Sequence, residues 1–88
     1  MNEGQARQDI QTGVNAKNLK ENPVFKTLFE KIEKDLLDEI KNSNPSDTKE
    51  REEAYFQINA IKMIQSKIQS LIDDGKVADR FIQEIQKN

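Results

Sequence analysis

The side chains in this 88-residue chain that could do chemistry are its carboxylates, ammonium groups and guanidinium groups. Three acidic groupings stand out: Glu52-Glu53, Asp35 with Asp38 and Glu39, and Asp73-Asp74 ahead of Gly75-Lys76. Carboxylates work as general acid and base only where a pocket shifts their pKa values. The first two groupings fall on the solvated faces of predicted helices and read as surface charge. Asp73-Asp74-Gly75-Lys76 begins like a calcium loop but lacks the alternating oxygen ligands and the closing glutamate. It reads better as a helix end, with Gly75 supplying the left-handed residue after the last turn. Arg51, Lys62 and Lys67 could touch phosphate, yet they form no basic stripe and no aromatic residues interleave them. The three glycines are far apart, so neither phosphate-cradling glycine pattern is present. The chain has no His and no Cys, which removes the usual zinc sites, thiol nucleophiles, disulfides and a histidine base. The reading is no enzyme, no cofactor and no metal.

Composition narrows the class further. Apolar and charged residues each make up 34% of the chain, and ten of the apolar residues are Ile. This is near the lower edge of what closes a core at such a length. A formal net charge of -2 argues against nucleic-acid binding through bulk charge. The longest uninterrupted apolar run is three residues, and the N-terminus has no apolar leader. The expectation is therefore a soluble, cytoplasmic protein without a membrane segment.

Residues 1–21 are polar, with Ile10, Val14 and Leu19 the bulky apolar residues besides Met1. Gly4, Gly13 and the surrounding amides weaken any helix there, so the segment is expected to be a flexible, disordered arm. The alternative is an arm that orders on a neighbouring subunit. The helical domain is expected over residues 22–88. Asn22 reads as an N-cap and Pro23 as a first helical residue. Phe25, Phe29, Ile32, Leu36 and Ile40 then recur at helical spacing, widened by Val24, Leu28 and Leu37. The helix should stop in Asn42-Ser43-Asn44-Pro45. Asp47 with Glu50 resembles a capping box, and the acidic first turn suits the helix dipole. Arg51 is placed to pair with Asp47 or to reach across the turn to the preceding helix.

From there Ala54, Ile58, Ile61, Gln65, Ile68 and Ile72 form a heptad-like seam. Gln65 is either a register-setting polar member or a residue at the seam's edge. The helix is expected to end near Asp73, with Gly75 as its cap. Val77, Ala78, Phe81, Ile82 and Ile85 then make a short third helix, which closes the core or docks on a neighbouring subunit. The fold class is all-α: an antiparallel hairpin of two long helices, a short C-terminal helix and a polar arm. Phe56 and Met63 lie one heptad apart on the face opposite the seam. They are candidate partner contacts, as are Phe81, Ile82 and Ile85. A two-helix hairpin is marginal alone, which favours a homo-oligomer.

Four short motifs carry a family likeness: Asn22-Pro23-Val24-Phe25, a helix ending in Leu36-Leu37-Asp38-Glu39-Ile40, Ser46 to Glu52, and Ile72 to Ala78. In that order, across roughly residues 20 to 80, they resemble a group of small tailed-phage proteins with the pattern N-P-x-F, D-x-x-x-R-E and D-G-K-x-A. Ile40 stands where many such proteins carry Trp. The resemblance implies a small helical accessory protein of a virus, associated with structural or DNA-packaging gene clusters. It places the chain in the host cytoplasm or the virion and carries over no catalytic residue. The functional expectation is a virion or assembly component acting through protein contacts. The alternative is a small acidic effector that blocks a host protein.

Overall fold

The computed structural model describes residues 1–87, which form three helices: α1 (Glu3–Glu21), α2 (Pro23–Lys41) and α3 (Thr48–Gln86). No strand occurs among the described residues, so the all-α class stands. The chain divides into two compact units. One comprises Met1–Asn22 with Ser66–Asn88, and the other is Pro23–Gln65. This replaces the expected division into an arm and a domain over residues 22–88. Asn88 itself, the expected end of that domain, lies outside the described residues.

The first correction concerns residues 1–21, which form a helix and not a disordered arm. Asn2 caps it, its side chain accepting the Gln5 N–H at 2.7 Å. Pairs four residues apart line its outer surface: Arg7 with Glu3 at 2.8 Å, Gln5 with Asp9 at 2.8 Å and Gln11 with Asn15 at 3.0 Å. The buried residues of α1 are Ala6, Gly13 and Ala16. These side chains are too small to register as an apolar stripe, yet they let a neighbouring helix come close.

That neighbour is the C-terminal part of α3. The second correction is that Gly75 ends nothing: α3 runs through it for 39 residues, about 58 Å at 1.5 Å per residue. No glycine among the described residues has positive φ, so Gly75 is not the left-handed cap its sequence context suggested. Residues 77–85 are the last turns of α3 and not a separate short helix. Gly75 serves instead as a point of backbone contact. A Cβ built on Gly75 would lie 3.1 Å from both the Asp9 carbonyl oxygen and the Gly13 Cα. A Cβ on Gly13 would lie 3.0 Å from the Gly75 Cα and 3.1 Å from the Leu71 carbonyl oxygen. The two glycines face each other where α1 meets α3, and a Cβ at either would need the opposite backbone to give by a few tenths of an ångström. Around them Ala6, Ala78 and Ile82 form a buried cluster, with Ile10 and Phe81 packed against it. Lys20 also donates to Gln69 across the two helices at 2.6 Å.

α1 stops because Pro23 disfavours helical geometry in the residue before it. Asn22 is accordingly extended (φ -64°, ψ 123°) and closes α1, its N–H donating to the Leu19 carbonyl at 3.2 Å. It thus caps the C-terminus of α1 while directly preceding Pro23, the first residue of α2.

In the unit Pro23–Gln65, Leu36 of α2 packs with Ala54, Ile58 and Ile61 of α3, and Phe29 and Ile40 lie against them. Of the stripe expected in α2, Leu36, Phe29 and Ile40 take part in this core whereas Ile32 is exposed, and the seam at the start of α3 is the one expected. Gln65, however, is exposed and takes no part in the core, whereas Ile68 is half-buried and Ile72 buried. Phe25 and Phe29 tilt against each other with ring centroids 4.5 Å apart.

Asp47 does precede the first turn of α3, but it does not form the expected capping box. Its carboxylate accepts the Asn44 N–H at 2.9 Å, and its own N–H donates to the Asn44 carbonyl at 2.9 Å. The N–H that Glu50 would have to reach is already used. Arg51 likewise makes no ion pair with Asp47. Its guanidinium donates to the carbonyl oxygens of Asn44 and Pro45 and to the hydroxyls of Ser43 and Thr48. A planar fork of donors suits a turn whose carbonyls converge, and Arg51 holds the connection between α2 and α3 in shape.

Candidate interaction surface

The face available for contact follows from which side of each helix is already occupied. On α3, with Ile61 at zero and about 100° per residue, Ala54 and Ile58 fall within about 60° of it. Phe56 and Met63, at about 220° and 200°, lie opposite that core, and Ala60 and Ile64, at about 260° and 300°, lie on one flank of it. In the structure Phe56 is 71% exposed, Met63 62% and Ile64 47%. On α2, Val24, Leu28 and Ile32 recur in steps of four beside the core-facing residues, with exposures of 76%, 52% and 38%. The sequence reading counted Ile32 in the core stripe and Val24 and Leu28, with Leu37, as its widening. Their exposure shows that the core of this unit is narrower than the apolar face that frames it.

The other expected contact residues divide. Phe81 is half-buried and Ile82 is 5% exposed, and both belong to the cluster that receives α1. They are engaged within the chain, because the helix that covers them is the segment expected to be an arm. Ile85 remains 38% exposed. Among the expected helix caps, Asn22 and Asp47 stand at helix boundaries, and Gly75 does not.

At the Gly13–Gly75 contact lies an open groove of about 360 Å³, lined by Ile10, Val14, Lys17, Ile72, Lys76 and Asp79 together with the two glycines. No polar or charged side chain among the described residues is buried, and no three His, Cys, Asp or Glu side chains gather to hold a metal. The clearest electrostatic pair is Lys34 with Asp38, one turn apart at 2.8 Å. The hydrogen bond from Lys34 and then its charge hold the Asp38 carboxyl below the ordinary aspartate value, and the same contact raises Lys34. Both side chains are well exposed, at 74% for Lys34 and 48% for Asp38, so the pair contributes little to stability.

No described helix is long and apolar enough to cross a membrane. Comparison with family models, with curated proteins and with solved structures finds no match to this chain.

Proposed function

We propose that this is a non-enzymatic phage protein that acts through protein–protein contacts, as a virion structural component or an accessory of assembly and DNA packaging. One observation carries the contact part of this reading. The unit Pro23–Gln65 buries four apolar residues, Leu36, Ala54, Ile58 and Ile61. It leaves Val24, Leu28, Ile32, Leu37, Tyr55, Phe56, Met63 and Ile64 exposed. Single exposed apolar residues are ordinary, but eight of them around a core of four is more exposed apolar surface than a lone hairpin requires, which supports a docking role.

In this reading α2 and the first half of α3 act as an antiparallel hairpin, because two helices that pack together across a short connection must reverse direction. The motif order N-P-x-F, D-x-x-x-R-E and D-G-K-x-A supports the viral origin, and with it a location in the host cytoplasm or the virion. The work is done by Phe56, Met63 and the α2 stripe, and the small acidic chain has no need of nucleic acid or membrane. The second reading, an inhibitor that binds a host protein, uses the same face.

Two experiments decide between these readings. Mass spectrometry of purified source particles should find the chain at fixed stoichiometry; its absence there, alongside expression in infected cells, would favour the host-directed reading. The variant Phe56→Ser with Met63→Ser should keep its helicity by circular dichroism and lose incorporation into particles. Undiminished incorporation would refute the assignment of the face.

A further inference from the structure

We infer that α1 is a hinged strap, which opens at Asn22 ahead of the rest of the chain and uncovers Ala78, Phe81 and Ile82 of α3. The inference goes beyond the contact reading of the unit Pro23–Gln65 and does not depend on it.

The first argument is what holds α1 in place. In its unit, Met1–Asn22 with Ser66–Asn88, Ala6 packs with Ala78 and Ile82, and Ile10 and Phe81 lie against them. To that cluster α1 gives the buried methyl of Ala6 and the half-buried side chain of Ile10. Its other buried residues are Gly13 and Ala16, whereas Val14 and Leu19 are 48% and 44% exposed. By contrast, α2 brings the buried Leu36, with Phe29 and Ile40 beside it, to its own contact with α3. Hydrophobic stabilisation scales with the apolar area removed from water, so α1 is held by the weaker contact of the two. Polar groups change this little. Lys20 donates to Gln69 at the exposed surface. Among the described residues both ion pairs, Arg7–Glu3 and Lys34–Asp38, lie within a single helix.

The second argument is how little release disturbs. Glu21 ends α1 and Pro23 begins α2, and Asn22 between them is already extended. A turn about its backbone breaks no hydrogen bond inside either helix, and Pro23 has no N–H to lose. The Asn22 N–H keeps the Leu19 carbonyl and travels with α1. The helix also takes with it the Asn2 cap and the pairs Gln5–Asp9 and Gln11–Asn15. A segment with few buried apolar contacts and its own internal bonds is the kind that opens as one unit.

The third argument is what α1 covers. Ala78 is 0% and Ile82 5% exposed, and Phe81 is half-buried. Apart from the end of α3 itself, α1 is the element that makes up this unit, so its departure bares all three. The chain thus carries an apolar face on α3 that is presented only in the open form.

The test is native-state hydrogen exchange of the full wild-type chain, read by mass spectrometry, with thiol labelling beside it. Relative to their free-peptide rates, amides of residues 7–21 should exchange at least about tenfold faster than those of residues 29–40. The chain has no cysteine, so a single introduced thiol reports its own position. Ala78 and Ala54, at 0% and 2% exposure, are matched sites in the two units. Ala78→Cys should react with a thiol reagent at least about tenfold faster than Ala54→Cys. The added sulfur at position 78 can only favour opening, so a thiol there that reacts no faster than one at position 54 overturns the inference. So does a wild-type chain in which residues 7–21 and 29–40 exchange together through one global opening, whatever the thiols show.

Discussion

Replacing either glycine of the α1–α3 contact by alanine should destabilise the protein, although alanine is the better helix former. Gly13 and Gly75 both lie inside helices, where exchange for Ala would ordinarily gain about 1 kcal/mol. Here the new Cβ at position 13 would stand 3.0 Å from the Gly75 Cα, whereas carbon atoms prefer about 3.5–4.0 Å. The obstructing atoms are backbone on a second helix, so no side chain can swing aside and α1 must move away from α3. Separating the helices by a few tenths of an ångström weakens each dispersion contact along the seam. Ala6 and Ala78, both 0% exposed, would lose the most. Overpacking costs about 1–3 kcal/mol, so the net loss after the propensity gain is about 1 kcal/mol. For a chain of this size that lowers the melting temperature by about 4–8 °C.

Gly4 provides the control. A Cβ there would meet only the Asn2 side-chain oxygen, at an ordinary 3.5 Å, and Gly4→Ala should stabilise. The assay is thermal unfolding followed by circular dichroism, with hydrogen exchange reporting α1 separately. The double variant Gly13→Ala with Gly75→Ala should cost less than the sum of the singles, because one separation makes room for both methyls. A rise in melting temperature for Gly13→Ala equal to that for Gly4→Ala would refute the close contact.

Two further outcomes are expected. Arg51→Ala should destabilise by about 1–2 kcal/mol in urea unfolding, since the connection loses donors to the Asn44 and Pro45 carbonyls, and Arg51→Lys should not restore it. An unchanged midpoint for Arg51→Ala would show the connection to be held by its own turn. The Asp38 carboxyl should titrate below the ordinary aspartate value in a carbon-detected NMR titration and return towards it in Lys34→Ala. Because that folded value is depressed, the pair's small contribution is present above the ordinary carboxylate range and is lost as pH falls through the depressed value. Because Lys34 is raised, the contribution is also lost as pH rises beyond the ordinary lysine value of 10.5. Salt should weaken both shifts, as it does for exposed pairs.

What the sequence made legible was whatever depends on bulky apolar spacing. The face of α2 from Phe25 to Ile40 and the seam Ala54, Ile58, Ile61 carry large side chains at helical intervals, and both were readable. The contact between α1 and the end of α3 was not, because it uses Ala6, Gly13, Ala16, Gly75 and Ala78. Those residues contribute little to an apolar count, and two of them argue locally against helix. Gly75 after Asp73-Asp74 has the composition of a helix end; only the opposed Gly13 shows that it is a place of close approach. A trace was present: with Gly and Ala counted as seam residues, Ile68, Ile72, Gly75, Ala78 and Ile82 continue the periodicity without a break. Losing α1 also misplaced Phe81 and Ile82, whose cover it provides. Phe56 and Met63 were found because they break the pattern of their own helix, whereas Val24, Leu28 and Ile32 extend theirs and were absorbed into the core.

The central claim is that the Phe56–Met63 face is covered when the protein is at work. The chain contains two methionines, and they are matched: Met1 is 63% exposed and Met63 is 62% exposed in the single chain. Mild peroxide oxidation, read by peptide mass spectrometry, therefore compares the same side chain at equal exposure in one sample. At low concentration the two should oxidise at similar rates. At high concentration, or in the assembled particle, Met63 should be protected several-fold while Met1 stays reactive. Equal oxidation of Met1 and Met63 under every condition would contradict the account.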